Sequence, residues 1–173
     1  MTLIVRGRAA FSLLALHSAL FTAGCQGMYG ILPAPARTDR IHEAAQQEHR
    51  RCDSQAIDPR LFGAEVVESV APLYYYVQTG SNREPRLHGA ELHLRPLPGM
   101  TAELMVRALS CRSARLALGR VERPPNEPYW LPDGWVKIDV RSDDGSFIVT
   151  LDGEDLPEAK EILARAQAFI AAP

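Results

Sequence analysis

Beyond Cys25, this 173-residue chain holds four histidines, two cysteines and two pairs of adjacent acids with the chemistry for metal binding, nucleophilic attack or proton transfer. Metal binding by His42, His49, His88 and His93 with Cys52 and Cys111 is the first possibility, since imidazole and thiolate are the usual zinc and copper ligands. The spacing opposes it. His88 and His93 are five apart, so on one continuous strand they point to opposite faces and cannot chelate one ion. His42 and His49 lie two turns apart on a helix, about 10 Å by helical rise, beyond shared reach. No Cys-x-x-Cys or His-x-x-x-His spacing occurs. Nucleophilic catalysis lacks its usual contexts, Gly-x-Ser-x-Gly and Ser-x-x-Lys. Cys111, behind Ser110, falls late in a predicted helix, far from the N-terminal dipole that depresses a thiol pKa. Asp143-Asp144 reads as a hairpin turn and Glu154-Asp155 as a helix cap, not as two carboxyls facing across a glycosidase cleft. The sequence therefore assigns no catalytic residue, no metal and no cofactor.

Cys25 belongs to a different pattern. Arg6 and Arg8 precede an apolar stretch, Ala9 to Phe21, and then a run of small residues, Thr22-Ala23-Gly24, ahead of a lone cysteine. That order is a targeting signal with a processing site. The apolar stretch falls short of the roughly 20 residues that a membrane span requires, and no later stretch approaches that length. The segment Leu20-Phe21-Thr22-Ala23-Gly24-Cys25 resembles the signal of bacterial lipoproteins. In that family the thiol receives a diacylglyceryl group, the chain is cut before the cysteine, and the new amine is acylated, usually with palmitate. The resemblance implies a signal peptide over 1–24, lipidation of Cys25 and a membrane anchor strengthened by about 0.8 kcal/mol per buried methylene. Gln26 in place of an Asp implies outer-membrane sorting, facing the periplasm. Thr22 stands where Leu is commoner, and an ordinary secretory signal is the alternative.

Removal of 1–24 leaves 149 residues, enough for one domain with a core of its own. It leaves 17 basic against 21 acidic side chains, a net −4. With no basic run interleaved with aromatics, this excludes nucleic acid as an expected partner. With Cys25 lipidated, Cys52 and Cys111 allow a single intramolecular pairing in an oxidising compartment. On the chain-entropy model, closing a loop of roughly 60 residues stabilises a fold by about 4 kcal/mol. Two buried thiols are the other reading, with Cys52 on an Ile41, Ala45, Glu48 stripe and Cys111 on a Leu104, Ala108 stripe.

The elements that must position these residues follow from periodicity. The segment 25–37 carries glycines and prolines without helical period and reads as the acylated cysteine and its tether, ahead of a domain over 38–173. A helix starts at Thr38 or Asp39 and runs to about Cys52, with Asp58-Pro59 ending the region. Ala64 to Val77 is β-rich but interrupted at Pro72, as in an edge strand with a bend. Ala90, Leu92 and Leu94 alternate with polar residues in a clearer strand, and Thr101 caps a helix whose buried stripe is Leu104, Met105, Ala108 and Leu109. The proline-rich stretch from Val121 to Gly134 is a long loop. Val136 to Leu151 forms a hairpin about Asp144-Gly145, and Asp155 with Glu158 opens a final helix. The class is α+β: a small antiparallel sheet with helices on one face, its C-terminal half resembling a ferredoxin-like or split βαβ sandwich.

Aromatic residues supply the binding candidates. Tyr129, Trp130 and Trp135 bracket Leu131-Pro132-Asp133-Gly134, and Tyr74, Tyr75 and Tyr76 form a second cluster. Rigid amphipathic rings suit recognition of an envelope protein or glycan, which singles out Tyr74, Tyr76, Tyr129, Trp130 and Trp135. For the tryptophans the competing reading is packing of the loop. Alternation along a strand puts Tyr75 on one face and Tyr74 with Tyr76 on the other, so one set is buried and the other exposed.

Four stretches, Leu87 to Leu94, Pro98 to Glu103, Leu109-Ser110-Cys111 and Asp133-Gly134-Trp135, resemble an uncharacterised family of bacterial envelope lipoproteins. In that family a His often follows the cysteine, where this chain has Arg112. The family carries no assigned activity, so the resemblance implies the lipoprotein address and the small domain alone. The expected function is a lipid-anchored periplasmic module, non-catalytic, that binds or supports an envelope component. The alternative is a periplasmic metal-binding or thiol redox protein using Cys111 and Cys52.

Overall fold

A computed structural model of the chain describes residues 37–52 and 59–171. The expected signal peptide, Cys25, the tether up to Ala36 and Asp58 lie outside the described residues. The first helix, α1 (Arg37–Arg51), is followed by two short 3-10 helices, Pro59–Phe62 and Ala64–Val66. Then come the strands β1 (Val67–Thr79) and β2 (Asn82–Leu94), the helix α2 (Ala102–Ala117), the strands β3 (Val136–Asp143) and β4 (Ser146–Gly153), and the helix α3 (Leu156–Ala171).

Alternation of apolar residues sets the sheet. All neighbours are antiparallel, in the order β1-β2-β4-β3, so one row of side chains crosses it as Val70, Leu92, Val149 and Val140. With Ala90, Leu94, Phe147 and Leu151 these residues make one apolar face. Met105, Ala108 and Leu109 of α2 and Ile162, Ala166 and Phe169 of α3 pack against it. The class is therefore α+β, with both helices on the same face. β2, α2 and β3 form a split βαβ unit with β4 inserted between its strands. The outer position beside β2, taken by the last strand of a ferredoxin-like chain, is filled here by β1 from before the unit.

Local chemistry explains most of the boundaries. Thr101 accepts a hydrogen bond from the Leu104 amide at 3.3 Å and starts α2. Asp155 accepts from the Glu158 amide at 2.8 Å, and the Glu158 carboxylate accepts from the Glu154 amide at 2.9 Å, which starts α3. Asp144 and Gly145 both take positive φ in the β3–β4 turn, as a tight hairpin demands.

Several expectations need correction. β1 runs unbroken through Pro72, which pairs with Ala90, because an edge strand tolerates a missing amide donor. The irregularities lie elsewhere: Glu68 is extra in β1 between the Val67–Leu94 and Ser69–His93 pairs, and in β2 the pairing passes from Leu73 with Gly89 to Tyr74 with Leu87 and leaves His88 extra. Gly89 takes φ +149, and a Cβ there would lie 2.0 Å from the carbonyl oxygen of Leu151. That bulge inverts the alternation beyond it. Leu104 is 42% exposed, so the core stripe of α2 is Met105, Ala108 and Leu109 without it.

α1 docks differently from the expectation. Ile41 is 47% exposed and Ala45 is exposed, while Ala44 is fully buried. The docked side is polar: Arg40 pairs with Glu158 at 3.6 Å, and Glu48 pairs with Arg115 at 3.7 Å and Arg120 at 2.6 Å. Cys52, at the end of α1, is disulfide-bonded to the fully buried Cys111 of α2.

Two outcomes follow. Cys52→Ser lowers stability by about 4 kcal/mol in chemical denaturation, and dithiothreitol brings the parent protein to the same midpoint while leaving the variant unchanged. Gly89→Ala costs at least about 2 kcal/mol by the same measurement, since both the backbone conformation and the contact with Leu151 exclude a side chain.

Candidate functional site

The loop between α2 and β3 is pinned from below. Glu127 and Tyr129 are fully buried; Glu127 pairs with Arg112 at 3.2 Å, and Tyr129 meets Phe169 edge-on at 6.4 Å between centroids. Burial pushes the Glu127 carboxyl up, against the pull of the Arg112 guanidinium. Burial, and then the neighbouring Glu127 charge, push the Tyr129 phenol up as well. Tyr129 is thus an anchor of the loop, and its expected place on a binding surface is corrected by its complete burial. Its hydroxyl, Glu127 Oε1 and Arg112 Nε are buried without a hydrogen-bond partner among the described residues.

Above this anchor the two tryptophans are half-buried. Trp130 is held by cations, with the guanidinium carbons of Arg123 and Arg165 4.8 Å and 5.9 Å from its ring centroid. Arg123 Nε also donates to the carbonyl of Leu116 at 3.0 Å, which fixes the guanidinium. Trp135, among the described residues, has no ring partner.

Between this loop and the first turns of α1 lies a cavity of about 330 Å³, lined by Arg40, Ile41, Arg123, Trp130, Asp133 and Trp135 among others. Its size reaches the lower end of the range for small-molecule sites, roughly 300 to 1,000 Å³. Arg40 closes one wall by donating to the Asp133 carbonyl and pairing with Glu158. Its Nε is buried and has no hydrogen-bond partner among the described residues. A second cavity of about 340 Å³ shares Arg40 and the Leu131 to Gly134 turn, and its far wall is acidic, with Asp155, Glu158 and Glu161. The Glu158 carboxyl is pushed up by burial, which the Glu154 amide and Arg40 oppose.

The tyrosine cluster lies elsewhere. Tyr74, Tyr75 and Tyr76 are all exposed, at 49%, 43% and 60%, which corrects the expectation of one buried set. They sit where β1 and β2 continue beyond the stretch of β2 paired with β4, so no helix covers either face. Tyr76 stacks on Arg83 at 5.0 Å. Tyr75 lies 4.5 Å from the His88 ring and donates to Asp152 at 3.3 Å, and His88 Nδ1 is 3.3 Å from the same carboxylate.

The bulge also corrects the histidine geometry. With His88 beside Asp152 and His93 paired with Ile148, both fall on the sheet face away from the helices, at opposite ends of the β2–β4 pairing. Among the described residues no group of three or more His, Cys, Asp or Glu side chains could hold a metal ion. Cys111 and Cys52 are joined to each other. Glu154 and Asp155 serve the start of α3, and Asp143-Asp144 the hairpin turn.

The sequence singled out Trp130 and Trp135 but missed Arg40, Arg123 and Asp133, which share their cavity. Arg123 adjoins the proline-rich loop and was legible as its neighbour. Arg40 had no local signal, because its position depends on how α1 docks.

The raised carboxyl of Glu127 sets a sign. A folded-state pKa above the unfolded one makes protonation favour the fold, so stability contributed at acid pH is lost as pH rises through the folded pKa. Glu158 acts in the same direction. Glu127→Gln keeps an acceptor for Arg112 and flattens the decline in stability from pH 4.5 upward relative to the parent, measured as unfolding midpoint against pH. Comparison with family models, with curated proteins and with solved structures gives no match to this chain.

Proposed function

We propose that this protein is a lipid-anchored, periplasm-facing lipoprotein of the outer membrane whose domain is a non-catalytic module binding an envelope component. The address rests on the Arg6, Arg8, apolar run and Cys25 pattern of the sequence. The binding role rests on one observation: the cavity of about 330 Å³ between α1 and the 121–135 loop, which presents Trp135 without a ring partner among the described residues. Half-buried tryptophan in a concave, mixed polar and apolar site suits ligand recognition. An envelope glycan is the favoured component, since an aromatic ring and flanking polar groups match the apolar face and hydroxyl rim of a sugar. The tyrosine ribbon is a second contact surface for an envelope protein.

The thiol redox alternative is less well supported, because Cys111 is fully buried and already bonded to Cys52. Reactive cysteines are accessible thiolates.

Two measurements test the proposal. Mass spectrometry of the native N-terminal peptide is expected to find Cys25 acylated, and an unmodified terminus cut elsewhere removes the anchor. The full-length protein in detergent is expected to co-sediment with purified peptidoglycan sacculi, and Trp135→Ala to reduce the bound fraction about tenfold, the effect of losing one well-placed aromatic contact. Absence of the parent protein from the pellet overturns the glycan reading.

A further inference from the structure

We infer that the cavity between α1 and the 121–135 loop takes a saccharide bearing a carboxylate, with Arg123 receiving the acid in the positive field it shares with Arg40 and Trp135 receiving the sugar ring. This rests on the binding role proposed above and names the chemistry of its ligand.

A pre-oriented guanidinium carries the inference. Arg123 uses Nε on the Leu116 carbonyl and its flat face on Trp130, and among the described residues neither of its terminal nitrogens has a protein partner. These two solvent-facing donors form a fork already oriented by the ring and the carbonyl, the geometry that a carboxylate accepts in bidentate fashion. Arg40 adds positive charge to the same cavity, while its own terminal nitrogens are engaged with the Asp133 carbonyl and Glu158.

The other lining groups narrow the ligand class. Asp133 places an exposed carboxylate at the same cavity, unpaired among the described residues, and it repels a ligand that is only anionic while accepting hydroxyl donors. A bare phosphate is therefore a poor fit, and two arginines oppose a cationic ligand. A sugar acid offers an anion for the arginines, hydroxyls for Asp133 and an apolar ring face for Trp135. Trp130 cannot serve as a second stacking platform in the same way, since guanidinium groups already lie over its ring. One stacked ring and one acid make a short ligand, in keeping with a cavity of about 330 Å³.

The carboxylate could come from a uronic acid or from the lactyl ether of a muramic residue, and the test separates these. Calorimetric titration of the full-length protein in detergent uses digalacturonate, N-acetylmuramic acid and neutral chitobiose as probes. At least one acidic sugar is expected to bind about tenfold or more tightly than chitobiose, the worth of one charge-assisted hydrogen-bonded pair. The preferred acid identifies the source. Arg123→Gln is expected to bring that acid to the chitobiose level, and Arg123→Lys to retain part of the preference. Both variants lose the contacts to Leu116 and Trp130, so each titration is paired with an unfolding midpoint, expected to lie near that of the parent. Equal affinity for acidic and neutral sugars, no effect of Arg123→Gln, or no binding of any probe overturns the inference. Sacculi that bind while the acidic sugars show no preference over chitobiose overturn the inference and leave the glycan-binding role standing, whereas sacculi that fail to bind defeat that role itself.

Discussion

The placement of α1 depends on the bond between Cys52 and Cys111 more than on any other contact. A helix normally docks through an apolar stripe, but among its described side chains α1 buries only Ala44 fully and leaves Ile41 in solvent. Its polar attachments include ion pairs from Arg40 and Glu48 and the hydrogen bond from Arg40 to the Asp133 carbonyl. Part-exposed pairs of that kind stabilise by about 1 kcal/mol or less each, after solvent screening. The cystine spans 59 residues and contributes about 4 kcal/mol on the loop-entropy model, so it outweighs the ion pairs. Since Arg40 and Ile41 form one wall of the candidate cavity, the site exists in this form only where that bond persists. An oxidising compartment satisfies that condition, which accords with the envelope address proposed for the protein.

The opposite wall is held by different physics. Tyr129 fills the core beneath the loop and Glu127 is buried against Arg112, so the proline-rich segment is fixed at its middle. Fixing the middle leaves the two tryptophans near the surface. Gly134 packs closely there, since a Cβ would come within 2.7 Å of a Leu131 methyl and 2.5 Å of Glu158 Oε1, and those side-chain ends would have to shift to admit it. The turn that carries Asp133 is thereby packed against α3, and the cavity is bounded by a disulfide-held helix and a core-anchored loop.

What the sequence made legible was local. The hairpin about Asp144-Gly145, the Thr101 cap, the start of α3 and the alternation of Ala90, Leu92 and Leu94 each depend on residues close together in the chain, and all are present. Counting cysteines reached the disulfide because only two remained to pair. What failed depended on tertiary context. A one-residue bulge at His88 leaves no periodic trace, yet it moved a histidine to the other face. Leu104 and Ile41 have the right period for burial but lie on sides of their helices that no element covers. Among the loop aromatics, composition could not tell that the tyrosine would go inward and the tryptophans outward. Arg40 was invisible as a cavity residue for the same reason, since the docking of α1 brings it to a loop more than 80 residues away in the chain.

Pro72 has a consequence beyond its tolerance in β1. The outer margin of that strand is the longest unpaired ribbon in the sheet, flanked by three solvent-facing phenol rings, and such a margin invites another copy to zip alongside it. Lacking an amide hydrogen, Pro72 interrupts the series of bonds an incoming chain would need to make, halfway along the approach. One proline thus works against edge-to-edge pairing on the margin of the sheet that carries the exposed phenol rings.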